Sequence, residues 1–212
     1  MKTGHVVWVE GLIGSGKTTV SDQLGDLLKA HVHHEPVDDN PFLADFYKDP
    51  KAWAFVMQFF LMSRRYRMQK LAVAESLNGR SAILDRGLPG DRVFARLHTR
   101  TGNIDERSWK VYEEHFDLMM SDLRPPSLLV FLDVEPETAY ERMKRRARGA
   151  EVGVPIEYLR DLRAGYYDLL EEIEHGNHAW SKGISVMRVP WNVDFQDPAV
   201  LADRIVKRLE AT

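Results

Sequence analysis

Cysteine is absent from this chain of 212 residues, which excludes disulfides and thiolate metal sites. Long apolar runs are absent too, and none approaches the roughly 20 residues that span a bilayer. Neither sign of charge is in excess: 29 Lys and Arg against 32 Asp and Glu leave a formal net charge of −3. Nothing electrostatic therefore favours a nucleic-acid or membrane partner. Repeats, linkers and low-complexity tracts are also missing, so the expectation is a single domain over residues 1–212, long enough for a full core. The apolar pattern begins by residue 5 and leaves no room for a leader, so a cytoplasmic protein is expected.

What the chain does have begins straight after Val6-Val7-Trp8-Val9. The run Gly11-Leu12-Ile13-Gly14-Ser15-Gly16-Lys17-Thr18-Thr19 fits G-x-x-x-x-G-K-[ST], a P-loop. Glycines at this spacing let the backbone curl until successive N–H groups point at phosphate oxygens. A helix starting near Gly16, patterned by Val20, Leu24, Leu27 and Leu28, adds its positive end. Lys17 has the length to reach the outer phosphates, and the Thr18 hydroxyl suits Mg²⁺. The expected ligand is a nucleoside triphosphate, held by Gly11, Gly14, Ser15, Gly16, Lys17, Thr18 and Thr19.

Short apolar runs alternate with helical periodicity along the rest of the chain. Strands are expected at about 5–10, 31–35, 81–85, 127–133 and 184–190. Helices are expected at about 16–30, 51–77, 105–123, 136–147, 156–174 and 198–210. Ala82-Ile83-Leu84 and Leu128 to Leu132 are continuously apolar, as strands covered on both faces of a parallel sheet are. The predicted fold is a doubly wound α/β domain with five parallel strands and helices on both faces, binding ligands at the carboxyl ends of its strands. The P-loop, Glu35-Pro36 and Asp85-Arg86 each follow a strand, so all three belong on one edge of the sheet.

A phosphate cradle, a carboxylate and an arginine on one edge suit phosphoryl transfer. Glu35 is placed to act as a base, or is simply an exposed strand-end carboxylate. Arg86 offers a planar bidentate donor to the transferring group. Asp85 beside it could hold a metal, or the two neighbours could form a structural ion pair. Arg142 to Arg148 carries five cations in seven residues and then runs into a glycine-bounded loop. That suits a mobile Arg-rich lid at about 145–154, though Glu137 and Glu141 could pair with part of the run. Gln58, Leu61 and Arg65 share one face of the long helix. Gln58 there either reads a base edge or is a satisfied buried amide.

Taken in order, Glu10-Gly11 to Thr19, Glu35-Pro36-Val37, Asn40 to Leu43 and Phe46 to Pro50 resemble the deoxyribonucleoside kinases of the bacterial deoxyadenosine/deoxyguanosine kinase type. Trp53-Ala54-Phe55, Gln58, Asp85-Arg86-Gly87, Tyr140 to Arg148 and Asp194-Phe195 continue the resemblance over most of the chain. It implies a P-loop kinase three-layer fold, ATP and Mg²⁺, a small deoxynucleoside substrate and a homodimer. By the same resemblance Glu35 is the general base for the 5′-hydroxyl, Arg86 holds the 5′-oxygen and transferring phosphate, and Thr18 and Asp85 serve the metal. Tyr47 and Glu151 bind the 3′-hydroxyl, Gln58 pairs with the base, and Arg142, Arg146 and Arg148 clamp the ATP phosphates. The loop around Asn192 to Gln196 frames the adenine.

Members that accept deoxycytidine and purine deoxynucleosides carry an Arg seven residues after the Gln and an Asp five after the motif Arg; here these are Arg65 and Asp91. The pair crowds the space a thymine methyl would need, so thymidine is expected to be poor; Asn40-Pro41-Phe42-Leu43 and Phe46-Tyr47-Lys48-Asp49 resemble the purine-preferring bacterial enzymes, so deoxyadenosine or deoxyguanosine is expected over deoxycytidine, which stays possible. Departures from the animal-type pattern are Asn40 for a Trp, Met57 for a Phe, and Ala95 for an aromatic that Phe94 adjoins. Gly87-Leu88-Pro89-Gly90 also replaces a Ser-rich loop.

Two other readings stand beside it. A nucleoside monophosphate kinase of the thymidylate kinase type would need cations near Glu35, where only His33 and His34 stand. A non-catalytic nucleotide-binding protein would have no reason to keep Glu35, Asp85, Arg86 and the lid arginines together. The apolar faces of helices 51–77 and 105–123 suit either a twin subunit or the core.

Overall fold

Unbroken apolar sequence builds the middle of the sheet. In a computed structural model, which describes residues 4–34, 40–146, 153–193 and 197–211, strands β1 (Val6–Gly11) and β4 (Leu128–Asp133) lie side by side, Trp8 and Phe131 wholly enclosed. With β2 (His31–His33), β3 (Ala82–Asp85) and β5 (Ser185–Pro190) they form one parallel sheet in the order β2-β3-β1-β4-β5. Each crossover is helical, as parallel pairing requires.

Helix α1 (Lys17–Leu28) turns Val20 and Leu24 inward and packs on β1, β2, β3 and α8 (Pro198–Glu210). On the other face α3 (Pro50–Leu77) lies against β3 and β1. Beside it are α4 (Leu88–Arg100) and α5 (Glu106–Ser121), and α7 (Ile156–Glu174) packs on α4 and β5. The short α2 (Leu43–Lys48) rides on α3, and α6 (Pro136–Arg146) follows β4. Capping is local: the carboxylates of Asp49, Asp105 and Asp197 accept N–H groups at the starts of α3, α5 and α8. Among the described residues no helix is long and apolar enough to cross a membrane.

The five expected strands and six expected helices are all present, most within two residues of the expected limits. The second strand ends at His33, so His34 falls beyond it, while Glu35, its expected last residue, lies outside the described residues. Leu27 is 49% exposed and belongs to the outer side of α1, contrary to the apolar stripe read for that helix. Helices α2 and α4 were not expected. Gly87-Leu88-Pro89-Gly90 is not a loop but the start of α4, with Pro89 in the first turn, where its missing N–H has no partner to lose.

Candidate active site

Strand order brings the ends of β1 and β3 together, and the segments leaving them share one cavity of about 470 Å³. That size suits a small organic ligand. After β1 the chain curls through the glycine loop into α1. Gly14 has φ 78°, and a Cβ there would sit 2.3 Å from the Ala139 carbonyl oxygen, so only glycine lets the loop lie against α6. Lys17 Nζ donates to the carbonyls of Gly11 (3.2 Å) and Leu12 (2.8 Å), folding its cation back over the loop. Gly14, Gly16, Lys17, Thr18 and Thr19 all line the cavity.

At the end of β3, Asp85 accepts a hydrogen bond from the Thr18 hydroxyl at 2.5 Å. Its other oxygen, Oδ1, is buried without a hydrogen-bond partner among the described residues. Such an orphan is costly unless something else satisfies it. A hydroxyl and a carboxylate, both oxygen donors, are the set a hard divalent cation takes, so the residues present fit Mg²⁺. Among the described residues no ion pair joins Asp85 to Arg86. Arg86 turns instead to the Tyr166 hydroxyl, with Glu10 Oε2 3.8 Å away and the Phe94 ring 4.7 Å from its guanidinium carbon. Its own backbone is left-handed (φ 77°), an uncommon state for a side-chain-bearing residue, of the kind that clusters at functional sites.

Glu10 received no role from its sequence context, yet it is the hub beneath this arrangement. Wholly buried, it accepts the Gly87 N–H (2.8 Å) and the Tyr166 hydroxyl (3.1 Å). Burial pushes its carboxyl above the usual range, against the opposing pull of Arg86, the Gly87 N–H, Lys17 and Tyr166. Gly90 makes room for it: a Cβ there would lie 2.4 Å from Glu10 Oε2. The signal in sequence was a carboxylate closing an otherwise apolar strand.

The far wall of the cavity comes from α3 and α4. Arg65 and Asp91 are both buried and joined through Arg65 Nη1 and Asp91 Oδ1. Asp91 Oδ2 also accepts the Tyr112 hydroxyl at 2.6 Å, and desolvation raises the Tyr112 pKa, keeping that hydroxyl a donor. Gln58 is 2% exposed and its Oε1 has no hydrogen-bond partner among the described residues. It is therefore not the satisfied amide that was weighed against a binding role. Phe94 lines the cavity, while Ala95 is buried in the core, so the aromatic wall is shifted by one residue.

Tyr47 on α2 also lines the cavity. So does His98 on α4, whose sequence context carries no functional signal. Burial lowers the His98 pKa to about 4, and its ring meets Phe46 edge-on at 5.2 Å. Arg142 donates to the carbonyls of Ser15 (3.4 Å) and Trp191 (2.9 Å), and Arg146 reaches the cavity. Of the carboxylates weighed as partners for this run, Glu141 does pair with Lys144 (3.8 Å), but Glu137 pairs with Arg160 (2.8 Å). Glu35, Arg148 and Glu151 lie outside the described residues, as does most of the expected lid and Asp194 to Gln196.

A cradle, an acidic strand end and a base-sized pocket in one cavity agree with what comparison finds. The family model for deoxynucleoside kinases matches residues 7–211. The chain belongs to the deoxynucleoside kinase family. Among relatives of this kinase, a deoxyadenosine kinase of Dictyostelium discoideum is 36% identical over 208 residues, covering 98% of this chain and 80% of that enzyme. A deoxyguanosine kinase of the same organism is 37% identical over 188 residues, 88% of this chain but only 64% of that enzyme, under two thirds of its length. In fold, the kinase matches the structure of a deoxyadenosine kinase from M. mycoides with bound dCTP at a TM-score of 0.80 and 22% identity. That match covers 98% of this chain and 100% of the other.

Proposed function

We propose that this kinase transfers the γ-phosphoryl group of ATP to the 5′-hydroxyl of a purine deoxynucleoside, deoxyadenosine or deoxyguanosine. It accepts deoxycytidine less well and thymidine poorly. The observation that carries this reading is the buried Arg65–Asp91 pair, braced by Tyr112, in the cavity that the phosphate loop also lines. With Asp91 committed to Arg65 and Tyr112, the guanidinium and the Gln58 amide offer donors and an acceptor to a purine or cytosine edge. They stand where a thymine methyl would go. The purine-kinase names of the relatives support the same substrate class.

In the reaction, the sugar is held by Tyr47 and Glu151 with its 5′-hydroxyl toward Glu35. Glu35 takes the hydroxyl proton as the oxygen attacks the γ-phosphorus. Arg86, fixed by Tyr166 and balanced by buried Glu10, meets the negative charge spreading over the transferring oxygens. Loop N–H groups, Lys17 and the arginines Arg142, Arg146 and Arg148 hold the triphosphate. Mg²⁺, held by Thr18 and Asp85, supplies charge neutralisation to the donor phosphates when bound. The kinase works as a cytoplasmic homodimer through α3 and α5, where Leu71 and Leu118 are exposed; light scattering of the purified chain tests the assembly.

The deciding experiment measures ADP release with ATP and Mg²⁺ against each deoxynucleoside and each deoxynucleoside monophosphate. Turnover with purine deoxynucleosides and little with thymidine supports the reading. Turnover with a monophosphate alone overturns it in favour of a thymidylate kinase type of reaction.

A further inference from the structure

We propose that His31, His33 and Glu75 form a binding site for one divalent transition-metal ion, Zn²⁺ fitting best, at the edge of the sheet. None of the three lines the active-site cavity. Strand periodicity sets His31 and His33 on one face of β2, while Val32 between them turns to α1, its Cγ2 being 2.4 Å from where a Cβ on Gly25 would stand. The imidazoles face the last turn of α3, which delivers Glu75. His31 Nδ1 lies 2.9 Å from Glu75 Oε1, and His33 Nε2 lies 3.5 Å from Oε2. One donor atom from each residue falls within 4.8 Å of the other two.

A simple His–Glu ion pair accounts for His31. It accounts less well for His33, whose side chain is 8% exposed and whose Nε2 stands 3.5 Å from Glu75 Oε2, a long ion pair without hydrogen-bond geometry. A buried ring nitrogen held 3.5 Å from a carboxylate oxygen in poor hydrogen-bond geometry leaves room for a bridging cation. Two imidazoles and a carboxylate are the three-ligand set of many zinc sites, with a fourth position open to water. Hard Mg²⁺ prefers all-oxygen donors, so this site and the Thr18–Asp85 pair differ in chemistry. The side chain of His31 is 61% exposed, which gives the ion a path in from solvent. Bound metal would clamp β2, which among the described residues pairs only with β3, to α3.

The test uses untagged, chelator-treated full chain without nucleotide, titrated with Zn²⁺ by calorimetry and examined by X-ray absorption at the zinc edge. The expected result is one ion per chain with two imidazole ligands and a raised melting temperature. His31→Ala, at an exposed position, and the isosteric Glu75→Gln each weaken binding by more than about tenfold, since even outer partners of metal ligands are worth 10–100-fold. Exposed His115→Ala on α5 leaves it unchanged. Absence of stoichiometric binding overturns the proposal, as does binding that both site variants retain.

Discussion

Replacing Asp91 by Ala is expected to destabilise the chain by about 3–5 kcal/mol, the usual cost of removing one partner of a buried ion pair. Arg65, 3% exposed, would lose this carboxylate, and the Tyr112 hydroxyl would lose its acceptor. For a chain of this length that is a fall in melting temperature of roughly 6–20 °C, at about 2–4 °C per kcal/mol. Arg65→Met should cost a similar amount by leaving the carboxylate with the tyrosine alone. If the two losses were independent, the double variant would lose about 6–10 kcal/mol, comparable to a whole domain's stability. Because each change removes what makes the other costly, the double variant is expected to lose only about 2–3 kcal/mol. It should also gain thymidine turnover, since the space guarded by the pair is then open. Urea unfolding followed by circular dichroism measures all four corners of the cycle. A cost under about 1 kcal/mol for Asp91→Ala, or simple additivity in the double variant, would refute the claim that the pair is desolvated and mutually dependent.

Three further outcomes are expected. Glu35→Gln should bind deoxynucleoside nearly as before and lose about 10²–10⁴-fold in kcat; full activity would remove Glu35 from the role of base. Lys17→Ala should abolish ATP-dependent turnover while leaving deoxynucleoside binding by calorimetry intact. His98, its pKa lowered from 6.5 to about 4, binds a proton more readily unfolded than folded, so stability falls as pH drops from about 6.5 to 4. The loss approaches about 3 kcal/mol at 1.36 kcal/mol per pH unit, and denaturant titrations of His98→Asn should show that part of the pH dependence flattened.

How far the sequence could be read depended on whether the deciding physics was local. Continuous apolar runs located the strands because burial on both sheet faces leaves no other composition. The P-loop was legible because a phosphate-binding turn restricts the residue types, and Asp85 because it ends an apolar strand. Helix α2 has only six residues, too few for periodicity to register. Helix α4 begins with Gly87-Leu88-Pro89-Gly90, which reads as a turn until Glu10 is seen standing where the Gly90 side chain would be. Glu10 and His98 escaped for a related reason. Their positions depend on contacts more than 70 residues away or on burial alone, as with the Gly87 N–H at a separation of 77. The left-handed backbone of Arg86 has no local sequence mark at all.

Gly14 lies so close to the Ala139 carbonyl that not even a methyl group fits between, and Arg142 grips the Ser15 carbonyl one residue further on. The phosphate loop and the root of α6 are thereby bolted together at two points. A displacement of the loop is therefore expected to carry α6 with it, and a spectroscopic probe on the outer side of α6 would report it.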